Sequence, residues 1–227
     1  MSTALSFVAP LAGEDDFEGW RKGARAAVLA GIPPEAVTWR IEGEPAGLFE
    51  EAPLPEPTPD ASFAVPRGFV ELALSAILHT DPERFRLLHA LLARLHGGER
   101  LMEERSDPLA RRLDGMALAV RRDMLRMRVS LRFHESAEPW TATYTPEHHI
   151  ERANAAFFTQ RFGGHPWAIL MPRLSLHWDG TALHEAPGTD TPPVLPDGPT
   201  TGGDRAMAWE AMREEAGGCR PCPLWKP

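Results

Sequence analysis

The chain has 227 residues, with 24 Lys plus Arg against 32 Asp plus Glu and a net charge of −8 at pH 7. That length holds one large or two small domains, and no apolar run approaches the roughly 20 residues that span a bilayer. The N-terminus lacks the basic, apolar and small-residue succession of a secretory signal. The two cysteines supply no disulfide framework, so a cytoplasmic protein without membrane attachment is expected.

Charge is unevenly spread. Residues 67–134 carry 13 Arg against 9 acidic groups, both flanks are acidic, and Lys22 and Lys226 are the only lysines. A GC-rich coding genome and phosphate recognition by planar guanidinium groups both produce such a bias. Composition does not separate them.

Leu5 to Pro10 reads as a short strand. Asp15-Asp16 then precede Phe17, Trp20, Ala24, Ala27 and Val28, an amphipathic helix with acids where its dipole favours them. Gly31 and Pro33-Pro34 end it, and Val37 to Ile41 forms a second strand. This entry segment, 1–42, is too small for a core of its own. An acidic, proline-rich stretch follows at 43–65 and is expected to be an extended connection.

Pro66 opens a helical region in which Phe69, Leu72, Ala73, Ala76 and Ile77 recur at helical spacing. Asp81-Pro82, a cap followed by proline at the first helical position, starts a second helix with Phe85, Leu88, Leu91, Leu92 and Leu95. A third runs from about Asp107-Pro108 through Leu113, Met116, Ala117, Val120 and Met124. It is expected to deliver the chain into a strand at 128–134, where Val129, Leu131 and Phe133 alternate with Arg128, Ser130, Arg132 and His134. Trp140, Ala142 and Tyr144 repeat the alternation on an antiparallel partner. From Pro146 to Phe162 the period is helical, with Ile150, Ala153, Phe157, Phe158 and Phe162 on one side. Trp167, Ile169 and Met171, then Leu174, Leu176 and Trp178, give two more strands joined at Pro172-Arg173. Order is expected to fade after Gly180.

The fold class read from this pattern is α+β: a mostly antiparallel sheet with helices before it and packed on one face. Its main domain covers 66–185. A proline- and glycine-rich linker follows at 186–203, and a new helix from Asp204 opens a last segment, 204–227.

Few residues carry chemistry on their own. Cys219 and Cys222 stand at CxxC spacing, which serves a metal, an iron of a cluster or a redox couple, or an inert exposed pair. Two ligands do not complete a zinc or cubane site. Glu147-His148-His149 with Glu151 lacks the HExxH spacing and reads as a solvated first helical turn. His177-Trp178-Asp179-Gly180 reads as a strand entering a turn. No serine-nucleophile elbow, phosphate loop or dinucleotide fingerprint is present, and no catalytic residue is assigned. A nucleic-acid surface is the remaining candidate. On the expected strand Arg128, Arg132 and His134 share the polar face, Arg121, Arg122 and Arg126 lie just before it, and Arg161 and His165 close the following helix, a cluster suited to phosphates. The bland alternative pairs these arginines with Asp123, Glu135 and Glu151.

Two resemblances add context. The run containing Ala216, Cys219, Arg220, Cys222, Leu224 and Trp225 resembles the opening of an iron–sulfur uracil-DNA glycosylase of the UdgX type. Phe85, Arg132-Phe133, Tyr144-Thr145-Pro146-Glu147-His148, Phe157-Phe158, Arg161-Phe162, Trp167-Ala168-Ile169 and Trp178-Asp179-Gly180 resemble the DUF4130 family, which is described in terms of DNA metabolism. Asp16-Phe17, Trp20-Arg21, Ala24-Arg25 and Val37-Thr38-Trp39 resemble the start of fusions between the two. The resemblance implies a DNA-repair accessory module fused ahead of such a glycosylase, with DNA as its partner. It implies a 4Fe–4S cluster only in a longer protein, where Cys219 and Cys222 would be half of the ligands, and none in this chain alone. The rival implication is an adaptor that docks a radical-SAM repair partner.

Overall fold

The computed structural model of the chain describes residues 6–45, 51–56, 63–99, 106–134 and 138–189. The chain divides into two compact units between Arg122 and Asp123.

The first unit begins as a strand–helix–strand. Strand β1 (Phe7–Leu11) leads into helix α1 (Phe17–Leu29), and β2 (Val37–Ile41) returns parallel to β1, pairing Phe7 with Val37 through Leu11 with Ile41. A two-residue strand, β3 (Ala52–Pro53), adds to the other side of β1, also parallel. Asp16 caps α1: its carboxylate accepts the Gly19 N–H at 2.8 Å and the Ala12 N–H at 2.9 Å. That occupies the helix N-terminus with the chain's own anion. Helices α2 (Arg67–Ala76), α3 (Arg84–His96) and α4 (Pro108–Ser130) follow, the last crossing the division between units.

An aromatic group centred on Trp20 and Trp39 fills this unit. Trp20 lies 6.3 Å from Trp39 and 6.4 Å from Phe69 between ring centroids, and its indole N–H donates to the Phe85 carbonyl at 3.2 Å. Trp39 meets Phe85 and stands edge-on to His89. Gly23 is what lets α1 approach β2 so closely: a Cβ there would sit 2.9 Å from the Trp39 ring. The buried Arg84 guanidinium ties the start of α3 to the Ile77 and Asp81 carbonyls and to Glu14.

The second unit is a four-stranded sheet in the order β4-β5-β6-β7, with β4 Trp140–Thr143, β5 Trp167–Leu170, β6 Leu174–Trp178 and β7 Leu183–Pro187. β4 pairs parallel with β5, and the other two ladders are antiparallel. Helix α5 (Glu151–Phe162) packs against β6. β5 is buried at every residue, as expected of an inner strand covered on both faces. Phe158, Trp167, Ile169, Met171, Ile150 and Met127 make the centre of the core.

The α+β class holds, but the antiparallel expectation holds only in part. The first sheet is parallel throughout, and β4 joins its sheet in parallel. The strand expected at 128–134 is a further correction, since α4 runs on through Ser130. Met127 and Leu131 are buried at a separation of four, continuing the helical spacing of Val120 and Asp123, while Val129 is 59% exposed. The alternation of Val129, Leu131 and Phe133 was real in the sequence, but the helical face already established upstream governs. Tyr144 lies outside β4, and Glu147 to His149 form a bend ahead of α5. Order also continues past Gly180, because β7 pairs with β6 along its whole length. No helix among the described residues is long and apolar enough to cross a membrane.

Candidate nucleic-acid interface

Because 123–130 is helical, the basic residues expected on one strand face go to different places. Asp123 is fully buried. Its carboxylate accepts the Glu147 N–H at 2.8 Å, the His148 N–H at 2.9 Å and the Tyr144 hydroxyl at 3.3 Å. The Tyr144–His148 run is thereby pinned to α4. Burial, with the neighbouring Asp123 charge, pushes the Tyr144 hydroxyl above its ordinary pKa. Burial likewise pushes His148 down, against the opposing pull of Asp123 and Glu147.

Arg126 pairs with Glu147 at 2.6 Å on the surface. Arg128 is half-buried: its Nε donates to Asn154 Oδ1 at 2.7 Å and its guanidinium lies 5.1 Å from the Phe157 ring centroid. The fully buried Asn154 passes its own amide N–H to the Met124 carbonyl at 3.3 Å. Both arginines hold α4 to its surroundings. Arg152 pairs with Glu185 at 2.8 Å, and Arg173 reaches Glu151 at 2.9 Å and the His148 carbonyl. Glu151 and His148 therefore serve this clasp, and among the described residues no group of three His, Cys, Asp or Glu side chains is placed to hold a metal.

Arg132, His134 and Arg161 differ. Arg132 is exposed and, among the described residues, donates to the Val129 and Leu131 carbonyls, at 2.8 and 2.9 Å, capping the end of α4. His134 is exposed, and its backbone bridges to Thr141 on β4. Arg161 is exposed, with its guanidinium 6.0 Å from the Phe162 ring centroid. Arg132 and His134 flank Phe133, and Arg161 precedes Phe162. Those two rings meet edge to face, 5.0 Å apart. Phe133 also reaches Trp140 at 6.4 Å and Trp167 at 6.0 Å. Trp140 in turn is stacked on the exposed His165, 4.2 Å between centroids and 15° between planes. The result is an aromatic cluster, buried on one side and half-exposed on the other, with three basic residues in its neighbourhood.

The loop that presents His165 is fixed by backbone geometry. Gly163 ends α5 where a Cβ would meet the Thr159 carbonyl oxygen at 2.5 Å, and the Trp178 indole N–H donates to the Gly163 carbonyl at 3.2 Å. The Trp140 N–H donates to the Pro166 carbonyl at 3.0 Å, closing the loop against β4. Sequence reading missed the His165–Trp140 pair. Nothing in the spacing of the two residues announces a stack that only strand pairing creates.

The run His177-Trp178-Asp179-Gly180 enters a turn as expected. Asp179 accepts from the Thr181 and Ala182 N–H groups at 2.8 and 2.7 Å and from the Thr181 hydroxyl, while Gly180 takes φ +98°. His184 meets the Asp179 carboxylate, at 2.8 Å. Cys219 and Cys222 lie outside the described residues. The sequence contains no other cysteine, whereas a 4Fe–4S cubane takes four thiolates.

The sequence model of DUF4130, a domain of unknown function, matches residues 82–215. Neither a curated protein nor a solved structure matches the chain.

Proposed function

The chain belongs to the DUF4130 family, and from that premise we propose that it is an accessory module of DNA metabolism that binds the DNA backbone. One observation carries the reading. In the second unit Arg126, Arg152 and Arg173 are ion-paired and Arg128 is engaged with Asn154, whereas Arg132 and Arg161 meet no carboxylate among the described residues and stand beside a half-exposed aromatic cluster. With His134 they form the phosphate-contacting set. Arg126, exposed and held by one surface carboxylate, extends it; Arg128 supports the surface from beneath. Contacts of this kind position the partner without reading bases, so little sequence preference is expected.

The resemblance of the last segment to a UdgX-type glycosylase supports a place in DNA repair, with this module presenting DNA to a tethered uracil-recognising domain. In such a longer protein Cys219 and Cys222 would give half of the cluster ligands.

The test is DNA affinity as a function of salt. Each phosphate contact adds close to one unit to the slope of log affinity against log salt. Replacing Arg132 and Arg161 by Ala should therefore lower that slope by about two and weaken binding about equally across sequences. An unchanged slope overturns the assignment. A second reading, a docking face for a radical-SAM partner protein, is supported by Leu125 and Val129, which are 60% and 59% exposed one turn apart on α4. Binding to such a partner that is lost in Leu125→Ser/Val129→Ser, with no DNA affinity in the parent, would favour it.

A further inference from the structure

The basic residues account for phosphates, but they leave the His165–Trp140 stack without a purpose. We infer that this stack is a platform for an unpaired base, so that the nucleic acid bound here is single-stranded; the inference rests on the DNA-binding reading above.

Four features point that way. The imidazole of His165 is exposed and lies parallel to the Trp140 indole, so an aromatic face is offered to solvent with a second ring backing it. That backing fixes the plane before any ligand arrives, so little ordering is left for binding to do. The loop is held independently by the Trp178 bond to the Gly163 carbonyl and by the Trp140 bond to Pro166. Finally, Arg161 lies four residues before His165, and Arg132 and His134 adjoin Phe133, whose ring neighbours Trp140. Cationic groups that follow a backbone, interleaved with an aromatic face, make the arrangement by which proteins hold single strands without reading sequence. A duplex has its bases stacked on one another and offers no free face to such a ring. An electrostatic surface alone would favour the duplex for its higher charge density.

The experiment compares three fluorescein-labelled probes on the full chain: an oligothymidine of about ten nucleotides, a duplex of the same length, and a single strand of the same length made of abasic sites. The parent should prefer the oligothymidine over both others. His165→Ala, an exposed position, should cost about tenfold in affinity for the oligothymidine while leaving the duplex and the abasic strand within about twofold. His165→Phe, which keeps a flat ring on Trp140, should restore the preference. Equal loss on all three probes, or none on the oligothymidine, overturns the platform while leaving backbone binding intact. Absence of binding to every probe overturns both readings. A parent that binds the abasic strand as well as the oligothymidine shows that no base is stacked.

Discussion

The two units use arginine in opposite ways. In the first, arginine is building material: Arg84 is buried on carbonyls and Glu14, Arg112 bridges Asp81 and Glu83, and Arg94 bridges Glu99 and Asp107. Its strand–helix–strand opening has the outline of a phosphate site, a helix N-terminus following a parallel strand. Yet Asp16 fills that N-terminus with a carboxylate. In the second unit, ion pairs lock α5, β7 and the 144–148 run, while Arg132 and Arg161, which meet no carboxylate among the described residues, adjoin Phe133 and Phe162, whose rings meet. Arginine content says little about binding; what decides is which arginines the fold has already used.

The largest expected effect breaks the comparison at the residue that organises the second unit. Asp123→Ala leaves two backbone N–H groups and the Tyr144 hydroxyl without their shared acceptor, and should destabilise this unit by about 3 kcal/mol. Hydrogen exchange is the measurement, with protection falling in 144–150 first. Full protection there would mean that water replaces the carboxylate.

Acid comes next, and it should affect both units alike. His89 and His177 are buried, and burial pushes each pKa down to about 4, with the Glu35 charge opposing at His89 and the His184 charge assisting at His177. Both are neutral when folded and free to protonate when unfolded. Their contribution is therefore fully present above pH 6.5 and is lost as pH falls from 6.5 towards 4, about 3 kcal/mol for each. Among the described residues neither ring nitrogen of His89 has a hydrogen-bond partner. His89→Leu should reduce the acid response of the first unit alone between pH 6.5 and 4 and raise its stability at neutral pH by about 1 kcal/mol. Urea melts at several pH values test both claims, and an acid response unchanged by the substitution would exclude His89 as its source.

A smaller effect tests the tight contact in the first unit. Gly23→Ala adds a methyl group against Trp39 and should cost about 1 kcal/mol despite the better helix propensity of Ala. A stabilised variant would show that the indole moves aside freely. The smallest effect sharpens the reading of α4. Val129→Ser should change stability by less than about 0.5 kcal/mol, because the side chain faces solvent. Loss of several times that amount would put Val129 in the core, as the strand expectation had it.

That last position shows where sequence patterns stop being sufficient. Elements whose apolar period was unopposed were legible: β1, α1, β2, α2 and α3 lie where Phe17, Trp20, Phe69 and Leu88 suggested, and so do β5 and β6. At 127–133 two periods overlapped. Met127 with Leu131 fitted a helix, and Val129 with Leu131 and Phe133 fitted a strand. Only tertiary packing of α4 decides between them. β3 and β7 escaped notice because neither has an apolar stripe: Ala52-Pro53 and His184-Glu185 are strands through backbone pairing alone. For the candidate interface, the sequence points to Arg132 and His134, but on a strand face that does not exist, and to Arg161 in the last turn of α5, where it lies. The rings that draw them together, Phe133, Phe162, Trp140 and His165, come from separate stretches of chain.

The two borders of the second sheet also bear on how copies of this chain behave at high concentration. A border strand normally offers a row of unused amide groups to any neighbour and so invites fibril growth. On the β4 side, the backbone of His134 already takes up Thr141. On the β7 side the strand bears His184 and Glu185, the latter clasped by Arg152, and ends at Pro187, which has no N–H to give. The strands richest in apolar residues, β5 and β6, therefore have both flanks filled, and the borders of this sheet fall on strands with less apolar surface to offer a neighbour.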